Sequence, residues 1–211
     1  MANVTRRQME RYPNYLKLLI LLKNNGVQTV SSSVISKVMK CSEEQVRKDL
    51  QAISRTYGKP GVGRNIDETI HDLQDFLGYN KTNDTVLVGV GRLGEAFLNY
   101  GGFRNYGFNI VAGFDMDPEK IGTEINGIPV YDFTEVEDRL KELNARIAIL
   151  TIPTNVAQNA VDTLVKAGIR GFLNFAPVHL DVEDGVVIEN VDIAASLAMV
   201  SHRLDQKEGN D

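Results

Sequence analysis

The sequence predicts an α/β protein with three parts: an N-terminal winged helix-turn-helix, a Rossmann-like parallel-sheet domain and a C-terminal helix. Three patterns lead to this prediction. Apolar residues recur at helical spacing through the first 80 residues, strands alternate with helices over residues 84–191, and one apolar helical stripe follows residue 192. We therefore divide the chain into residues 1–80, 84–191 and 192–211.

Composition narrows the class of protein. The 211 residues are 43% hydrophobic and 24% charged, which is typical of a globular protein. One cysteine cannot form an intramolecular disulfide or supply a cysteine-rich zinc site. No apolar run reaches the roughly 18–20 residues of a membrane span, and no signal peptide precedes the first helix. We expect a cytoplasmic protein without a membrane partner.

Charge is unevenly distributed along the chain. Residues 1–66 contain 12 basic and 4 acidic side chains, whereas residues 67–211 contain 11 basic and 24 acidic ones. A basic segment joined to an acidic body suggests a head that binds a polyanion. Chance clustering of surface charge is the alternative.

The N-terminal part begins with two predicted helices. The first carries an apolar stripe from Tyr15 to Leu22 and ends at the sequence Asn24-Asn25-Gly26, which is a typical helix stop. The serines at 31–33 offer hydroxyls that can cap the start of a second, short helix. Cys41 follows that helix in a turn.

A third helix, a hairpin and a fourth helix follow. Ser42 and Gln45 have the spacing of a capping box that opens the third helix, which we expect to end near Tyr57. Residues 58–64 are too rich in Gly and Pro for a helix and predict a tight β-hairpin. Residues 66–77 predict one more amphipathic helix, and residues 79–82 a linker.

This arrangement predicts a winged helix-turn-helix that reads duplex DNA. Arg can bond guanine through two hydrogen bonds, Gln can bond adenine, and Lys can neutralise phosphate. Serine hydroxyls at the start of the second helix can donate to phosphate, and the hairpin adds two cations. The predicted DNA-binding residues are Ser32, Ser33, Gln45, Arg47, Lys48, Gln51, Lys59 and Arg64. A three-helix core that binds no DNA is the alternative.

The second part alternates strands with helices, which predicts a parallel sheet covered on both faces. Strands are predicted over residues 86–90, 109–114, 147–151, 171–175 and 186–188. Helices are predicted to start near Arg92, Phe133 and Thr154.

A glycine motif directly follows the first of these strands, and it reads Gly89, Val90, Gly91, Arg92, Leu93, Gly94. Its G-x-G-x-x-G spacing permits a tight turn, close approach of backbone to a pyrophosphate, and close packing of helix on strand. Asp115 lies roughly 20 residues further on, where a carboxylate accepts from ribose hydroxyls and repels the 2′-phosphate of NADP. Asp117 is the competing acid. These features together favour a dinucleotide site over a glycine-rich turn without a ligand.

A catalytic set is missing from the sequence. Among three histidines, only His179 lies near a strand end of the sheet domain, and its apolar neighbours suggest a turn. Cys41 lies in the helix-turn-helix, away from any base that the sequence identifies. We therefore predict no catalytic residues and no metal ligands, in agreement with a sensor that binds a cofactor without turning it over.

Several segments together resemble the Rex family of bacterial redox-sensing repressors. The likeness covers about residues 5–206, and its segments are Val46–Leu50, Gly61–Gly63, the glycine motif, Phe114–Gly122, Gly168–Pro177 and Glu189–Asp192. It implies a homodimer that binds operator DNA when the NADH/NAD⁺ ratio is low and releases the DNA when NADH binds. It also implies that the C-terminal helix is swapped between subunits.

Discrimination between NADH and NAD⁺ must come from the nicotinamide, because the two forms share every phosphate and ribose contact. The strand ends place Asn174 and Pro177 where that ring would lie, with Thr151 and Pro153 as further candidates. Tyr100, predicted on the helix after the glycine motif, could report the state of the ring. Two-fold symmetry of the dimer predicts an inverted-repeat operator.

Two rival functions stay open. One is an NAD-dependent dehydrogenase with a helical N-terminal domain, and the other is a CoA-binding module, since some acyl-CoA ligase domains share this sheet. Asp115 favours a dinucleotide over CoA, and the missing catalytic set favours a sensor over an enzyme.

Overall fold

The computed structural model describes residues 4–54 and 63–208 of the chain. The polypeptide divides between Lys81 and Thr82 into two compact units. Each unit has a hydrophobic core of its own.

Within residues 4–54 and 63–81, the first unit has four helices and one small sheet. The helices are α1 (Arg6–Asn24), α2 (Ser32–Met39), α3 (Glu43–Ile53) and α4 (Ile66–Leu77). Strand β1 (Thr29–Val30) pairs antiparallel with β2 (Arg64–Asn65). Helices α2 and α3 are joined by a tight turn, and β2 after α3 pairs with β1 before α2, as in the predicted winged helix-turn-helix.

Side-chain caps fix where these helices begin. Thr5 and Gln8 form a reciprocal capping box at the start of α1, and the side chains of Ser31, Ser42 and Asn65 cap α2, α3 and α4. Lys40 ends α2 in the left-handed conformation. Only three residues therefore separate α2 from α3, as a helix-turn-helix requires.

The apolar faces of the helices meet in one core. Its fully buried members are Tyr12, Tyr15, Leu19, Ile35, Val46, Leu50 and Leu73, which come from all four helices. Since the apolar stripe of each helix packs here, the opposite faces of α1, α2 and α3 stay free to carry polar side chains.

The first unit differs from the sequence prediction in two details. Helix α3 ends at Ile53, where Ser54 adopts an extended conformation, and so it is shorter than the predicted helix ending near Tyr57. Strand β1 has no counterpart in the prediction, because two residues are too few to show alternation. Most of the predicted hairpin, including Lys59, lies outside the described residues.

Seven strands form the sheet of the second unit. They are β3 (Asn83–Val88), β4 (Phe108–Asp115), β5 (Glu124–Ile125), β6 (Ile128–Asp132), β7 (Ile147–Leu150), β8 (Gly171–Asn174) and β9 (Val187–Asn190). Their order is β5-β6-β4-β3-β7-β8-β9, and every pair is parallel except β5 with β6. Without the short β5, this is the strand order of the Rossmann fold.

Helices cover both faces of the sheet. Helices α6 (Val136–Leu143) and α7 (Thr154–Lys166) pack on one face, while α5 (Arg92–Leu98) and a 3₁₀ helix (Gly101–Tyr106) pack on the other. From β3 the chain first adds β4 and β6 on one side, and it then crosses back to add β7, β8 and β9 on the other side. Such a switch point, at the carboxyl ends of the strands, is where these sheets bind ligands.

The five predicted strands all occur, with ends displaced by three residues or fewer. The prediction missed β5 and β6, which lie next to each other at one edge of the sheet. Among the described residues, no helix combines the length and apolarity needed to cross a membrane.

The last helix, α8 (Ile193–Glu208), has no buried side chain among residues 193–206. Ile193, Leu197, Val200 and Leu204 follow helical spacing along one face and are 53–69% exposed. An apolar surface of this kind marks a site of interaction with another element or molecule.

Candidate cofactor site and DNA-contacting helix

Two glycines of the G-x-G-x-x-G motif are required by the fold itself. Gly89 follows β3 with φ at +93°, and a Cβ there would lie 2.6 Å from the carbonyl oxygen of Thr151. A Cβ on Gly94 would overlap the carbonyl oxygen of Gly89. Gly89 therefore permits the turn, and Gly94 permits the close packing of α5 against the loop.

The middle glycine, Gly91, is free of such constraints. Its φ is −72°, and nothing lies within 4 Å of a Cβ built on it. No side chain caps the start of α5, where Gly91 is the N-cap residue. The backbone is thus open on the side from which a phosphate group would approach, and the amides of a helix start suit an anion.

The other members of the motif divide by burial. Val90 is fully buried and contributes its backbone amide, whereas Arg92 and Leu93 are exposed at the start of α5. Of this set, Gly89 and Gly91 line a cleft at the switch point.

Asp115, the last residue of β4, is held in place by backbone amides. The amide of Val90 donates to Oδ2, and the amides of Met116 and Asp117 donate to Oδ1 at 2.7 and 2.9 Å. A carboxylate has about four acceptor positions, so one position is left for a hydroxyl of a ligand. The competing acid, Asp117, accepts from the amide of Glu119 instead.

The cleft at the switch point has a volume of about 610 Å³, within the usual range of small-molecule sites. Its lining is mostly apolar and includes five predicted residues: Gly89, Gly91, Asp115, Thr151 and Pro153. The sequence analysis missed the apolar walls from Phe133 and Val156, and Asn159 of α7, because no motif marks them. The open glycine and the oriented carboxylate of Asp115 fit a dinucleotide.

Thr151 lines the cleft, with its hydroxyl pointing at the glycine motif. This hydroxyl donates to the carbonyl oxygen of Gly89 at 2.6 Å. It therefore ties the end of β7 to the turn after β3 and keeps the two sides of the switch point together.

Asn174, a predicted cofactor contact, lies at the carboxyl end of β8 as expected. It is 1% exposed, and its amide donates to the carbonyl oxygen of Ala176 and to Asn190 Oδ1. Its own Oδ1 accepts from the amide of Ala176. These bonds join the side chain to the loop after β8. Pro177 is exposed in that loop.

Tyr100 is also placed differently. Helix α5 ends at Leu98, and Tyr100 stands just before the 3₁₀ helix, with 58% of its surface exposed. The prediction that Tyr100 lies on the helix after the glycine motif is wrong. Neither Tyr100 nor Asn174 lines the cleft as described.

In the first unit, α3 presents a polar face opposite its buried one. Arg47, Lys48 and Gln51 are exposed, while Val46 and Leu50 are buried. Lys48 pairs with Glu44 at 2.8 Å, one turn earlier. Gln45 is half-buried, and in the amide orientation that its surroundings favour it accepts from Arg11. Three of the four predicted contact residues on α3 are therefore presented to solvent.

Ser32 and Ser33 occupy the first turn of α2, and the capping residue is Ser31. Both serines are half-buried. Arg64 does not project from the wing tip: it lies in β2 and donates to Ser54 Oγ at 3.0 Å. Burial lowers the pKa of Arg64, which Asp72 partly offsets. Arg64 thus has a structural environment that the sequence did not reveal.

A buried acid, Asp49, fixes α3 against α1. Asp49 is 2% exposed, and its carboxylate accepts from Arg11 Nε at 2.7 Å, from Arg11 Nη2 at 2.8 Å and from the Tyr15 hydroxyl at 2.8 Å. Tyr12 donates to its backbone carbonyl oxygen. Because Asp49 directly follows Arg47 and Lys48, this network sets the orientation of the exposed basic face.

The network also perturbs the pKa values of its members. Burial alone would raise the pKa of Asp49, but the hydrogen bonds from Arg11 and Tyr15 outweigh it and hold that pKa below its ordinary value. Burial raises the pKa of Tyr12 to about 12. Burial and the hydrogen bond to Asp49 also raise the pKa of Tyr15, so both tyrosines stay protonated donors.

These pKa directions predict an acid-labile first unit. Asp49 has a lower pKa in the folded than in the unfolded chain, so its contribution to stability is present above the unfolded value and is lost as pH falls through the folded one. Asp49→Asn should cost about 3 kcal/mol at pH 7, the low end for a broken buried pair because Arg11 is partly exposed. Thermal unfolding is measured from pH 7 to pH 2.5, and the difference in stability between wild type and variant should shrink below about pH 4. A gap that stays constant would contradict this role for Asp49.

Family models match each part of the chain. A model described as "CoA binding domain" matches residues 80–178, and one described as "Putative DNA-binding protein N-terminus" matches residues 3–51.

Proteins of known function match nearly the whole chain. A "Redox-sensing transcriptional repressor Rex" from Clostridioides difficile (strain 630) is 39% identical over 207 residues, which is 98% of this chain and 97% of the relative. Proteins of the same name from Thermoanaerobacter sp. (strain X514) and Bacteroides fragilis are 39% and 37% identical, over 96% and 95% of this chain and 88% and 90% of theirs.

Solved structures agree with this likeness. The crystal structure of RSP in complex with β-NAD⁺ and operator DNA is 38% identical, with a TM-score of 0.92 over 99% of this chain and 95% of RSP. RSP in complex with β-NADH is 37% identical, with a TM-score of 0.87 over 99% of this chain and 97% of RSP. A single architecture thus accommodates both redox forms and DNA in that repressor.

Proposed function

This chain belongs to the Rex family of redox-sensing transcriptional repressors, and from this premise we infer that it binds operator DNA when NADH is scarce and releases it when NADH binds. The observation that carries this function is the pairing, in one chain, of a dinucleotide cleft with an exposed basic helix face. We place the function in the cytoplasm, where operator and NADH are both accessible.

We propose that the cleft holds NADH and NAD⁺ through contacts common to both. The open backbone at Gly91 would receive the pyrophosphate, and the free acceptor position of Asp115 would receive a ribose hydroxyl. Residues 115–119 carry three acids and no cation, so a 2′-phosphate would be repelled. Bound nicotinamide supplies a ring that is planar and cationic when oxidised and neutral when reduced, and the protein must sense the difference at this ring.

The DNA-contacting surface is proposed to be the exposed face of α3. Arg47 and Gln51 would contact base edges in the major groove, while Lys48 and the start of α2, with Ser32 and Ser33, would contact phosphate. Gln45 would contribute from its half-buried position beside Arg11.

The exposed apolar face of α8 supports a homodimer. We propose that this face packs on a second copy, in agreement with the swapped helix that the family resemblance implies. Two copies of α3 related by a two-fold axis would then address an inverted repeat whose half-sites lie about one helical turn apart, or a multiple of it.

The rival functions have less support. A dehydrogenase would need an acid or base beside the nicotinamide. The candidate, His179, lies in the loop that follows β8, where it is exposed and 3.6 Å from Asp181, and it does not line the cleft as described. The family model named for CoA covers the sheet domain, but CoA has no ribose hydroxyl pair that would require the oriented carboxylate of Asp115.

A titration of DNA binding tests the proposed function directly. An operator is selected from random duplexes with the NAD⁺-bound protein, and gel shifts are run at fixed total nucleotide while the NADH/NAD⁺ ratio varies. We expect binding to fall 5- to 150-fold as the ratio rises, the usual range of allosteric coupling. NADPH at the same concentrations is the matched control and should have little effect. Equal binding at all ratios would contradict the function.

Asp115→Asn should weaken cofactor binding and its selectivity. Removal of the charge takes away a charge-assisted hydrogen bond of about 1.5–3 kcal/mol, which corresponds to roughly 10- to 150-fold in affinity for NADH. Discrimination against NADPH should shrink at the same time, because the repulsive charge is gone. Calorimetric titration with both nucleotides measures the two effects.

The matched variant is Asp117→Asn, two residues away. It should change NADH affinity less than threefold, since Asp117 caps its own loop. A larger loss in Asp117→Asn than in Asp115→Asn would reverse the assignment of the ribose-binding acid.

A further inference from the structure

The turn that follows β4 carries a single cation among its acids. Residues 115–122 include three acids, and Lys120 is their only basic side chain. The amide of Lys120 donates to the backbone carbonyl oxygen of Asp117 at 2.9 Å, and the amide of Asp117 donates to Asp115 Oδ1 at 2.9 Å. Lys120 therefore lies in the same hydrogen-bonded turn as Asp115, the proposed acceptor of a ribose hydroxyl.

An ion pair joins Lys120 to α5. Its Nζ lies 3.3 Å from Glu95 Oε2 and donates a hydrogen bond to it. Glu95 lies in the first turn of α5, where its amide donates to the carbonyl oxygen of Gly91 at 2.8 Å. The pair thus bridges two parts of the proposed cofactor site: the turn that holds Asp115 and the helix start that would face the pyrophosphate.

The exposure of this pair limits what it contributes to stability. The Lys120 side chain is 33% exposed and that of Glu95 is 47% exposed, and ion pairs so open to solvent add little to the free energy of unfolding. The larger effect of the pair is on the charge available to a ligand. A lysine has a flexible stem and is a common partner of phosphate, so the state of Lys120 decides whether the turn can offer a cation.

We propose that Glu95 is a specificity-determining residue, because it occupies Lys120 and so denies the 2′-phosphate of NADPH the cation of this turn. The proposal rests on the proposed function, in which Asp115 receives the adenosine ribose. A 2′-phosphate carries about two negative charges. To recruit Lys120, it would have to leave the Glu95 carboxylate uncompensated beside those charges. Asp115 thus repels NADPH directly, and Glu95 removes its counter-ion.

Glu95→Gln tests the proposal by releasing Lys120. Calorimetric titration should show NADPH affinity rising about 3- to 10-fold, less than a buried charge-assisted hydrogen bond contributes because the pair is partly exposed. NADH affinity should change less than twofold. Glu119→Gln is the matched control, since it removes the same charge from the turn itself but leaves the Lys120–Glu95 pair, and it should raise NADPH affinity less than twofold. Equal gains in the two variants would overturn the proposal, because net charge alone would explain them.

Removal of the cation shows whether the gain depends on Lys120. In the double variant Glu95→Gln with Lys120→Met, NADPH affinity should return to the wild-type value, and Lys120→Met alone should produce no gain. The gain in Glu95→Gln should also shrink at about 1 M salt, since contacts between partly exposed charges are screened. A gain that persists without Lys120, or that salt does not change, would indicate a change in the shape of the site and would overturn the proposal.

These titrations separate the role of Glu95 from the proposed function. They need no operator DNA, and they compare two nucleotides that differ only in the 2′-phosphate. If NADH binds but Glu95→Gln retains the wild-type preference over NADPH, the role of Glu95 is wrong and the repressor function is unaffected. If NADH leaves operator binding of the wild type unchanged, the repressor function fails, while the ratio of NADPH to NADH affinity in Glu95→Gln still decides the role of Glu95.

Discussion

Arg47→Ala is expected to weaken specific operator binding strongly while leaving NADH binding intact. Arg47 is exposed on the polar face of α3, and a guanidinium paired with guanine through two hydrogen bonds discriminates by about 1–3 kcal/mol. A two-fold dimer uses this contact twice, so the loss is about 2–6 kcal/mol, or roughly 30-fold to 10⁴-fold in affinity. Gel shifts with the selected operator and with a scrambled duplex measure the specific and nonspecific parts.

Two further variants sharpen this test. Lys48→Ala should weaken binding to both duplexes alike and lower the salt dependence by about one unit, because a lysine that contacts phosphate carries no sequence information. Arg146→Ala removes an exposed arginine from the second unit and should leave operator affinity unchanged. Wild-type operator affinity in Arg47→Ala would show that α3 does not read the DNA through this residue.

The expected loss of specific binding in Arg47→Ala depends on α3 being held rigidly. A base contact must be held in place to discriminate, and α3 is anchored one residue beyond Lys48 by the buried Asp49 with Arg11 and Tyr15. No local sequence pattern indicates this anchor, since Arg11 and Asp49 are 38 positions apart. Solvation of a charge cannot be deduced from local pattern, and so Asp49 was indistinguishable from a surface acid of an amphipathic helix.

Local sequence patterns were sufficient to predict most of the fold. Caps at Ser31 and Ser42 and helical spacing were sufficient for α2 and α3, and apolar runs were sufficient for five of the seven strands of the large sheet. The sequence analysis missed strands β5 and β6 because they are short and because Pro129 interrupts the apolar alternation. Asn126-Gly127 between them, both with positive φ, is a tight hairpin signal that could have revealed the pair.

Motif spacing located the cofactor site better than it assigned roles within it. Gly89, Gly91 and Asp115 meet in the cleft because strand order places the carboxyl ends of β3 and β4 together. Asn174 and Tyr100 were chosen by position along the chain, and position cannot show whether a side chain points inward or toward solvent. Asn174 is buried at the end of β8 and bonded to the loop that follows, and the early end of α5 places Tyr100 outside that helix.

The largest effects on cofactor binding should come from two glycines that lie three residues apart. Gly91→Ala adds a methyl group that meets nothing in the protein, at a φ of −72° that alanine adopts readily. Its melting temperature should equal that of wild type, and its affinity for NADH should fall more than tenfold, because the methyl group would occupy the space through which a pyrophosphate approaches the backbone.

Gly94→Ala should fail in a different way. Its methyl group would overlap the carbonyl oxygen of Gly89, and backbone on both sides would have to move. Neither backbone segment can move without strain, and overpacking of this kind costs about 1–3 kcal/mol or more of stability. We therefore expect a lower melting temperature together with the loss of NADH binding. Calorimetric scans and NADH titrations of both variants separate a ligand-facing glycine from a packing glycine. If Gly91→Ala binds NADH with wild-type affinity, the proposed approach of the pyrophosphate to the backbone at Gly91 is wrong.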